Sequence, residues 1–264
     1  MSGDSLPQND VVWITGASSG LGRALALRFA RAGAAVAASA RDAAALQALS
    51  NEAENLRGSI AALPLDVTDE AAFASAAEEI ERELGPIATL VLNAGTHRPV
   101  DARALHAEDF RKLLEVNVMG VVNGLAAALP AMRERGRGRI AVVASLSGYR
   151  GLPSASAYGL TKAGLINLCE ALRPELALDG VILQLVNPGF VKTPLTDKNT
   201  FRMPFLMELE DAAEAFYRGL HSSRFEIVFP RRFAYILKIM RCLPYALYFR
   251  LTRRMARSIR ERDT

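Results

Sequence analysis

The chain has 264 residues, half of them apolar, 23% charged and 7% aromatic, with a mean hydropathy of +0.12; this is enough for one large domain or two small ones around a real core, and it excludes a disordered, fibrous or repeat-array protein. Two cysteines, Cys169 and Cys242, give no disulfide framework and point to a reducing compartment. The net charge of +4 is uneven: residues 231–264 hold 10 Lys+Arg against 2 Asp+Glu and the other 230 residues hold 22 against 26, so the positive charge is local and a wholly basic nucleic-acid binder is not expected.

The N-terminal stretch MSGDSLPQND is polar, with no basic region followed by an apolar run, so no secretory signal is expected and a cytoplasmic protein is the default. Residues 11–15 (VVWIT) are short, β-branched and followed by glycines, which predicts a strand, and 20–32 have apolar positions spaced for a helix. The unit repeats, with strands at 36–39, 60–65 and 88–92 and helices at 42–56 and from a capping Thr68 to Leu84. Helices near 106–116 and 118–134, a strand at 139–144, a helix at 156–177 and a strand at 181–186 complete the series. Strands apolar on both faces and separated by helices predict a doubly wound α/β domain, a parallel sheet covered on both sides by right-handed crossovers. No linker divides residues 1–230, which read as one domain, and 231–264 as an appended helical tail.

Between the first strand and its helix stands TGASSGLG, residues 15–22. Its glycines permit a tight turn, close backbone approach to a pyrophosphate and close helix packing, with the anion at the helix N-terminus. With this string in place the sequence resembles the short-chain dehydrogenase/reductase family, and further matches follow in the family's order: Asn93-Ala94-Gly95, Asn117 in VNVMG, Ser145, Tyr158-x-x-x-Lys162 and Asn187-Pro188-Gly189. The resemblance covers residues 9–193 closely and implies a Rossmann-type fold whose ligands lie at strand C-termini. Gly16, Ser18, Ser19, Gly20, Leu21, Gly22, Asn93, Ala94 and Gly95 are then candidate cofactor residues, joined by Pro188, Gly189, Val191 and by Thr193, which would reach the nicotinamide carboxamide. Asp66 and Val67 would contact the adenine ring. No metal site is assigned.

Tyr158 and Lys162 at i and i+4 share a helix face, so an ammonium there would favour phenolate over phenol and make Tyr158 an acid/base for alcohol and carbonyl chemistry. The resemblance adds that Lys162 bonds the nicotinamide ribose, that Ser145, 13 residues before Tyr158, stabilises the substrate oxygen, and that Asn117 holds a relay water. Ser147 is a nearby competitor for the serine role. After the second strand, Ser39 and Arg41 suit a 2′-phosphate and favour NADP over NAD, with Asp42 as a counter-indication because it could pair with Arg41 or repel phosphate.

Residues 194–210 fall where a substrate lid is expected, and Leu195, Phe201, Met203, Phe205, Leu206 and Met207 suit a hydrophobic carbonyl or alcohol. The run 233–251 is broken by Lys238, Arg241, Arg250 and Pro244, which predicts two short amphipathic helices rather than a membrane span. They suit peripheral contact with the cytoplasmic face of a membrane, or packing on a partner subunit or on the domain itself. A homodimer or homotetramer is the expectation from the family. The function expected is NADP-dependent hydride transfer; the alternative is a cofactor-binding, membrane-associated scaffold or sensor with negligible turnover.

Overall fold

A computed structural model describes residues 10–194, 196 and 203–260. Seven parallel strands form one sheet in the order β3-β2-β1-β4-β5-β6-β7: β1 Val11–Thr15, β2 Ala35–Ala40, β3 Ser59–Pro64, β4 Ile87–Leu92, β5 Gly138–Val143, β6 Val181–Pro188 and β7 Glu226–Phe229. Six of these were expected. The seventh pairs Leu185–Pro188 with Glu226–Phe229 and is only four residues long.

The helices are α1 Gly20–Arg31, α2 Ala43–Glu52, α3 Glu70–Glu83, α4 Ala107–Leu114, α5 Gly120–Glu134, α6 Ser156–Leu178, α7 Leu209–Leu220, α8 Arg231–Cys242 and α9 Tyr245–Arg260. They lie over two apolar layers. On one sheet face Trp13, Phe73, Leu90 and Ile140 pack with α3, α5 and α6; on the other Ile14, Phe29, Leu46 and Phe216 pack with α1, α2 and α7. Because the strands are covered on both faces, they are continuously apolar, which is why the sequence shows no alternation.

Two boundaries differ from expectation. α3 is capped by Asp69, whose carboxylate accepts from Ala72 N at 2.9 Å, rather than by Thr68, which hydrogen-bonds Asp66. α4 and α5 are joined without a break through a π-helical turn, Glu115–Met119, that holds Asn117. The combined run Ala107–Glu134 is long and apolar enough to cross a membrane. It nevertheless packs Val121, Leu125, Ala128 and Met132 into the core beneath the sheet.

Candidate active site

The site is assembled where β1, β4, β5 and β6 end, the edge at which an open parallel sheet places its ligands. After β1 the chain turns through Gly16 at φ +66°, and a Cβ there would stand 2.8 Å from Ala94 Cα. At Gly22 a Cβ would stand 2.4 Å from the Gly16 carbonyl oxygen and 2.5 Å from Asn93 Nδ2. Only glycine fits either position, and the result is a backbone cradle at the N-terminus of α1. The capping Ser19 makes no side-chain hydrogen bond there and the first turn holds no carboxylate, so the positive end of the helix is left for an anion. This cradle fits a dinucleotide pyrophosphate, with Ser18, Ser19, Gly20, Leu21 and the Thr193 side chain at its rim; Thr193 Cγ2 lies 3.3 Å from where a Gly20 Cβ would be.

Asn93 and Thr15 hold the cradle in place. Asn93 Nδ2 donates to the carbonyls of Thr15 and Gly16 at 3.0 and 3.2 Å, and Thr15 Oγ1 accepts from the amides of Asn93 and Ala94, both at 3.1 Å. The side chain of Asn93 therefore supports the loop from behind.

Ser145 follows β5 with its hydroxyl 3.1 Å from Ser147 Oγ and 3.4 Å from the Pro188 carbonyl, near enough to the Tyr158 phenol to act on it. Lys162 is buried; its Nζ donates to the Val143 carbonyl at 2.7 Å and lies 5.5 Å from the Tyr158 ring centroid. Burial lowers the Lys162 ammonium to about 8. Burial also pushes the Tyr158 phenol up to about 12, with the Ser145 hydrogen bond pulling the other way. The lysine was expected to draw the phenol towards neutral pH. In the free protein desolvation outweighs that pull, since the Lys162 proton is directed at Val143. At pH 7 the pair is a phenol beside an ammonium, the state that can give a proton away.

Asn117 is fully buried, donating to Thr96 O at 2.9 Å and Thr161 Oγ1 at 3.1 Å and accepting from Thr96 N at 2.7 Å. It ties the segment after Gly95 to α6 one turn from Tyr158. π-turns recur at functional sites because one extra residue re-aims a side chain, and here that residue set includes Asn117.

The remaining candidates divide. Arg41 is exposed after β2, and Asp42 is occupied as the α2 cap, accepting from Ala45 N at 2.9 Å. Ser39 is fully buried and its hydroxyl accepts from Trp13 Nε1 at 2.9 Å, which places its side chain in the apolar layer of Trp13. Asp66 is held below the usual carboxylate range by hydrogen bonds from Thr68, aided by Arg41 nearby. Val67 packs on Gly120 and its carbonyl accepts from Asn123 at 3.0 Å. Val191 is buried, and its carbonyl accepts from Thr196 Oγ1 at 2.6 Å. In the expected lid, Leu195 and Phe201 lie outside the described residues, whereas Phe205 and Leu206 are exposed and Met203 and Met207 partly buried.

A second ring of residues, tied to the tail, was not foreseeable from motif or spacing. Glu226 of β7 accepts from Tyr149, from Asn187 Nδ2 at 2.7 Å and from Lys238 of α8. Burial raises the Glu226 carboxyl, but the hydrogen bonds from Lys238, Tyr149 and Asn187 together hold it below its ordinary range. Arg150 donates to the carbonyls of Met240 and Leu243 at the end of α8, both at 2.7 Å, and lies over the Tyr248 ring, whose hydroxyl donates to Gly151 O at 2.6 Å. Phe233 stacks between Phe190 and Phe205, each centroid 5.7 Å away. The loop between Ser145 and Tyr158 thus rests on α8 and α9.

Comparison with known proteins agrees with this geometry. Residues 10–203 match the family model described as short chain dehydrogenase. An uncharacterized oxidoreductase of Myxococcus xanthus is 40% identical over 242 residues, 92% of this chain and 96% of its own. A 3-oxoacyl-(acyl-carrier-protein) reductase of Thermotoga maritima is 36% identical over 191 residues, 72% of this chain and 78% of its own. A short-chain dehydrogenase from Sphingobium yanoikuyae, solved in complex with NADPH, superposes with a TM-score of 0.77 at 27% identity, covering 90% of this chain and 97% of that one.

Proposed function

The chain belongs to the short-chain dehydrogenase family of oxidoreductases, and on that premise we propose that it moves a hydride between NADP(H) and a hydrophobic carbonyl/alcohol pair. The observation that carries the chemistry is the convergence of Ser145, Tyr158 and Lys162 at the end of β5, with the Ser145 hydroxyl close enough to lower the Tyr158 phenol and the buried Lys162 ammonium 5.5 Å from its ring centroid. The nicotinamide cofactor supplies the hydride in reduction and takes it in oxidation. Ser145 donates to the substrate oxygen and stabilises the charge that develops on it. Tyr158 gives its phenolic proton to the same oxygen, and Lys162 stabilises the phenolate left behind. Asn117 anchors the route by which the proton is replaced from solvent. In alcohol oxidation the same groups act in reverse, with Tyr158 as the base.

NADP is preferred over NAD because Arg41 is exposed beyond β2 while the Asp42 carboxylate is engaged in capping α2. A relative in structure that binds NADPH supports the same choice. The hydrophobic substrate follows from Phe205, Leu206 and the Phe190–Phe233 stack beside Gly189. The enzyme is a cytoplasmic homodimer or homotetramer in this reading, and residues 231–264 are its contact with the inner face of a membrane.

The test is NADPH and NADH oxidation by purified protein over a chain-length series of aldehydes and ketones, with Tyr158→Phe alongside. Rates that rise with chain length, prefer NADPH and vanish in the variant support the proposal. Tight NADPH binding with no turnover of any carbonyl or alcohol would instead favour a cofactor-binding scaffold.

A further inference from the structure

Residues 231–260 hold nine Lys and Arg and no Asp or Glu. Each of the two helices they form rests on the domain through a narrow stripe. α8 buries Ala234 and Leu237 and leaves Tyr235, Ile236 and Ile239 at 62, 44 and 67% exposure. α9 buries Tyr248 and Thr252 and leaves Tyr245 and Phe249, stacked at 5.4 Å, 70 and 54% exposed. On the helical period Arg250, Arg253 and Arg257 stand opposite Tyr248, and all three are exposed.

Large apolar side chains left in water beside a dense positive charge mark an interaction surface. Its chemistry selects the occupant. A second copy related by a twofold axis would set this surface against itself, opposing like charges with no carboxylate on either helix to answer them. A lipid surface with anionic headgroups answers both features at once: apolar and aromatic side chains enter the headgroup boundary, and arginines meet phosphates. Lys238 is the one basic residue of α8 turned inward, to Glu226. The charge toward the outside is therefore carried by arginines.

We propose that α8 and α9 dock the enzyme on an anionic lipid surface, with Ile236, Ile239 and the exposed aromatics inserted and the arginines of α9 on the headgroups. This rests on reading residues 231–264 as the membrane contact and adds its lipid chemistry and its contact residues. The inner side of α8 carries Phe233 against Phe190 and Phe205, so docking sets the wall of the substrate site next to the bilayer from which an apolar substrate comes.

The experiment uses the full chain and vesicles of phosphatidylcholine alone or with roughly a third phosphatidylglycerol. Sedimentation should show binding at least ~10-fold tighter to the anionic vesicles, and raising the salt to ~0.5 M should abolish that gain. The Arg250→Glu/Arg253→Glu/Arg257→Glu variant and, separately, Ile236→Asp/Ile239→Asp should each lose at least ~10-fold in vesicle binding, with NADPH binding and melting temperature unchanged. Equal binding to both vesicles, or variants that bind like the parent, overturns the proposal. So does a solution dimer that Ile236→Asp/Ile239→Asp converts to monomer in a protein that ignores vesicles, since a second copy then covers this face. Vesicle binding is read without turnover, so a protein that docks but reduces nothing would refute the enzymatic reading and leave this one standing.

Discussion

Glu226→Ala removes the acceptor on which Tyr149, Asn187 and Lys238 converge. Tyr149 and Asn187 are buried, so two donors are left without the carboxylate, at ~1–3 kcal/mol each. Lys238 is partly exposed and can turn to water, so it adds little. The sum, roughly 2–6 kcal/mol, is a large part of an ordinary domain stability of ~5–15 kcal/mol. Glu226→Gln keeps an amide oxygen for Asn187 and Tyr149 and loses the charge, so it should cost only ~1 kcal/mol. The effect should reach catalysis. Asn187 precedes Pro188, whose carbonyl lies 3.4 Å from Ser145 Oγ, and Tyr149 ends the turn that Ser145 begins. A loosened Ser145 should lower kcat by ~10-fold or more with the NADPH binding constant unchanged, and the glutamine should restore most of it. The carboxyl is held below its ordinary range in the folded state, so its contribution is complete above the unfolded value of ~4.3 and is lost as pH falls through the folded one. Urea unfolding from pH 7 down to pH ~3 should therefore show the parent losing its lead over Glu226→Gln at the acid end. Glu226→Ala within ~0.5 kcal/mol of the parent, or no better rescued by glutamine than by alanine, would refute the reasoning.

Tyr158→Phe should lower kcat by ~10³-fold or more while a fluorescence titration with NADPH stays at the parent value; retained turnover removes Tyr158 from the chemistry. Gly22→Ala should weaken NADPH binding at least ~10-fold, because its Cβ would stand 2.4 Å from the Gly16 carbonyl and the cradle must open. Arg41→Ala should cut the NADPH-to-NADH ratio of kcat/KM by ~10-fold or more, whereas Asp42→Ala should cost ~1 kcal/mol of stability as a lost helix cap and leave that ratio alone. Lys162→Met should gain stability relative to the parent below pH 8, where the parent buries an ammonium. The folded value, about 8, lies below the ordinary 10.5, so the parent's penalty is relieved as pH rises between the two and the difference should narrow by roughly 3 kcal/mol. A difference that stays flat over that range would mean the ammonium is not desolvated.

Legibility in the sequence followed how locally each feature is determined. The strands and helices of residues 11–188 could be read because covered parallel strands are unbroken apolar runs and the glycine cradle has a fixed spacing. β7 escaped notice because four residues, EIVF, carry no periodicity, and their place in the sheet is set only by pairing with Leu185–Pro188. The burial of Ser39 was hidden for a related reason. Its distance from the glycine loop is legible, but which face of β2 it occupies depends on Trp13, 26 residues away. The elevation of Tyr158 was hidden too, since spacing shows that a cation is near and says nothing of how much water is gone.

The tail lies beyond the residues that match the family model, yet it braces the site. A helix leaves its last carbonyls short of partners, and at the end of α8, before Pro244, the backbone offers only a long bond from Leu243 N to Met240 O at 3.3 Å. Arg150 supplies the donors that are missing, and it reaches them because it directly follows the turn from Ser145 to Tyr149. Tyr248 then fixes Gly151 in the same loop and Lys238 fixes Glu226 beneath it. Each contact alone is worth ~1 kcal/mol or so, but all act on the segment joining Ser145 to Tyr158, whose separation the reaction needs to hold within a fraction of an ångström. A tail that only decorated the domain would have no reason to place two anchors on this loop and a third on the Glu226 carboxylate that holds its Tyr149, and Arg150→Ala, far from any reacting atom, should therefore lower kcat before it lowers cofactor affinity.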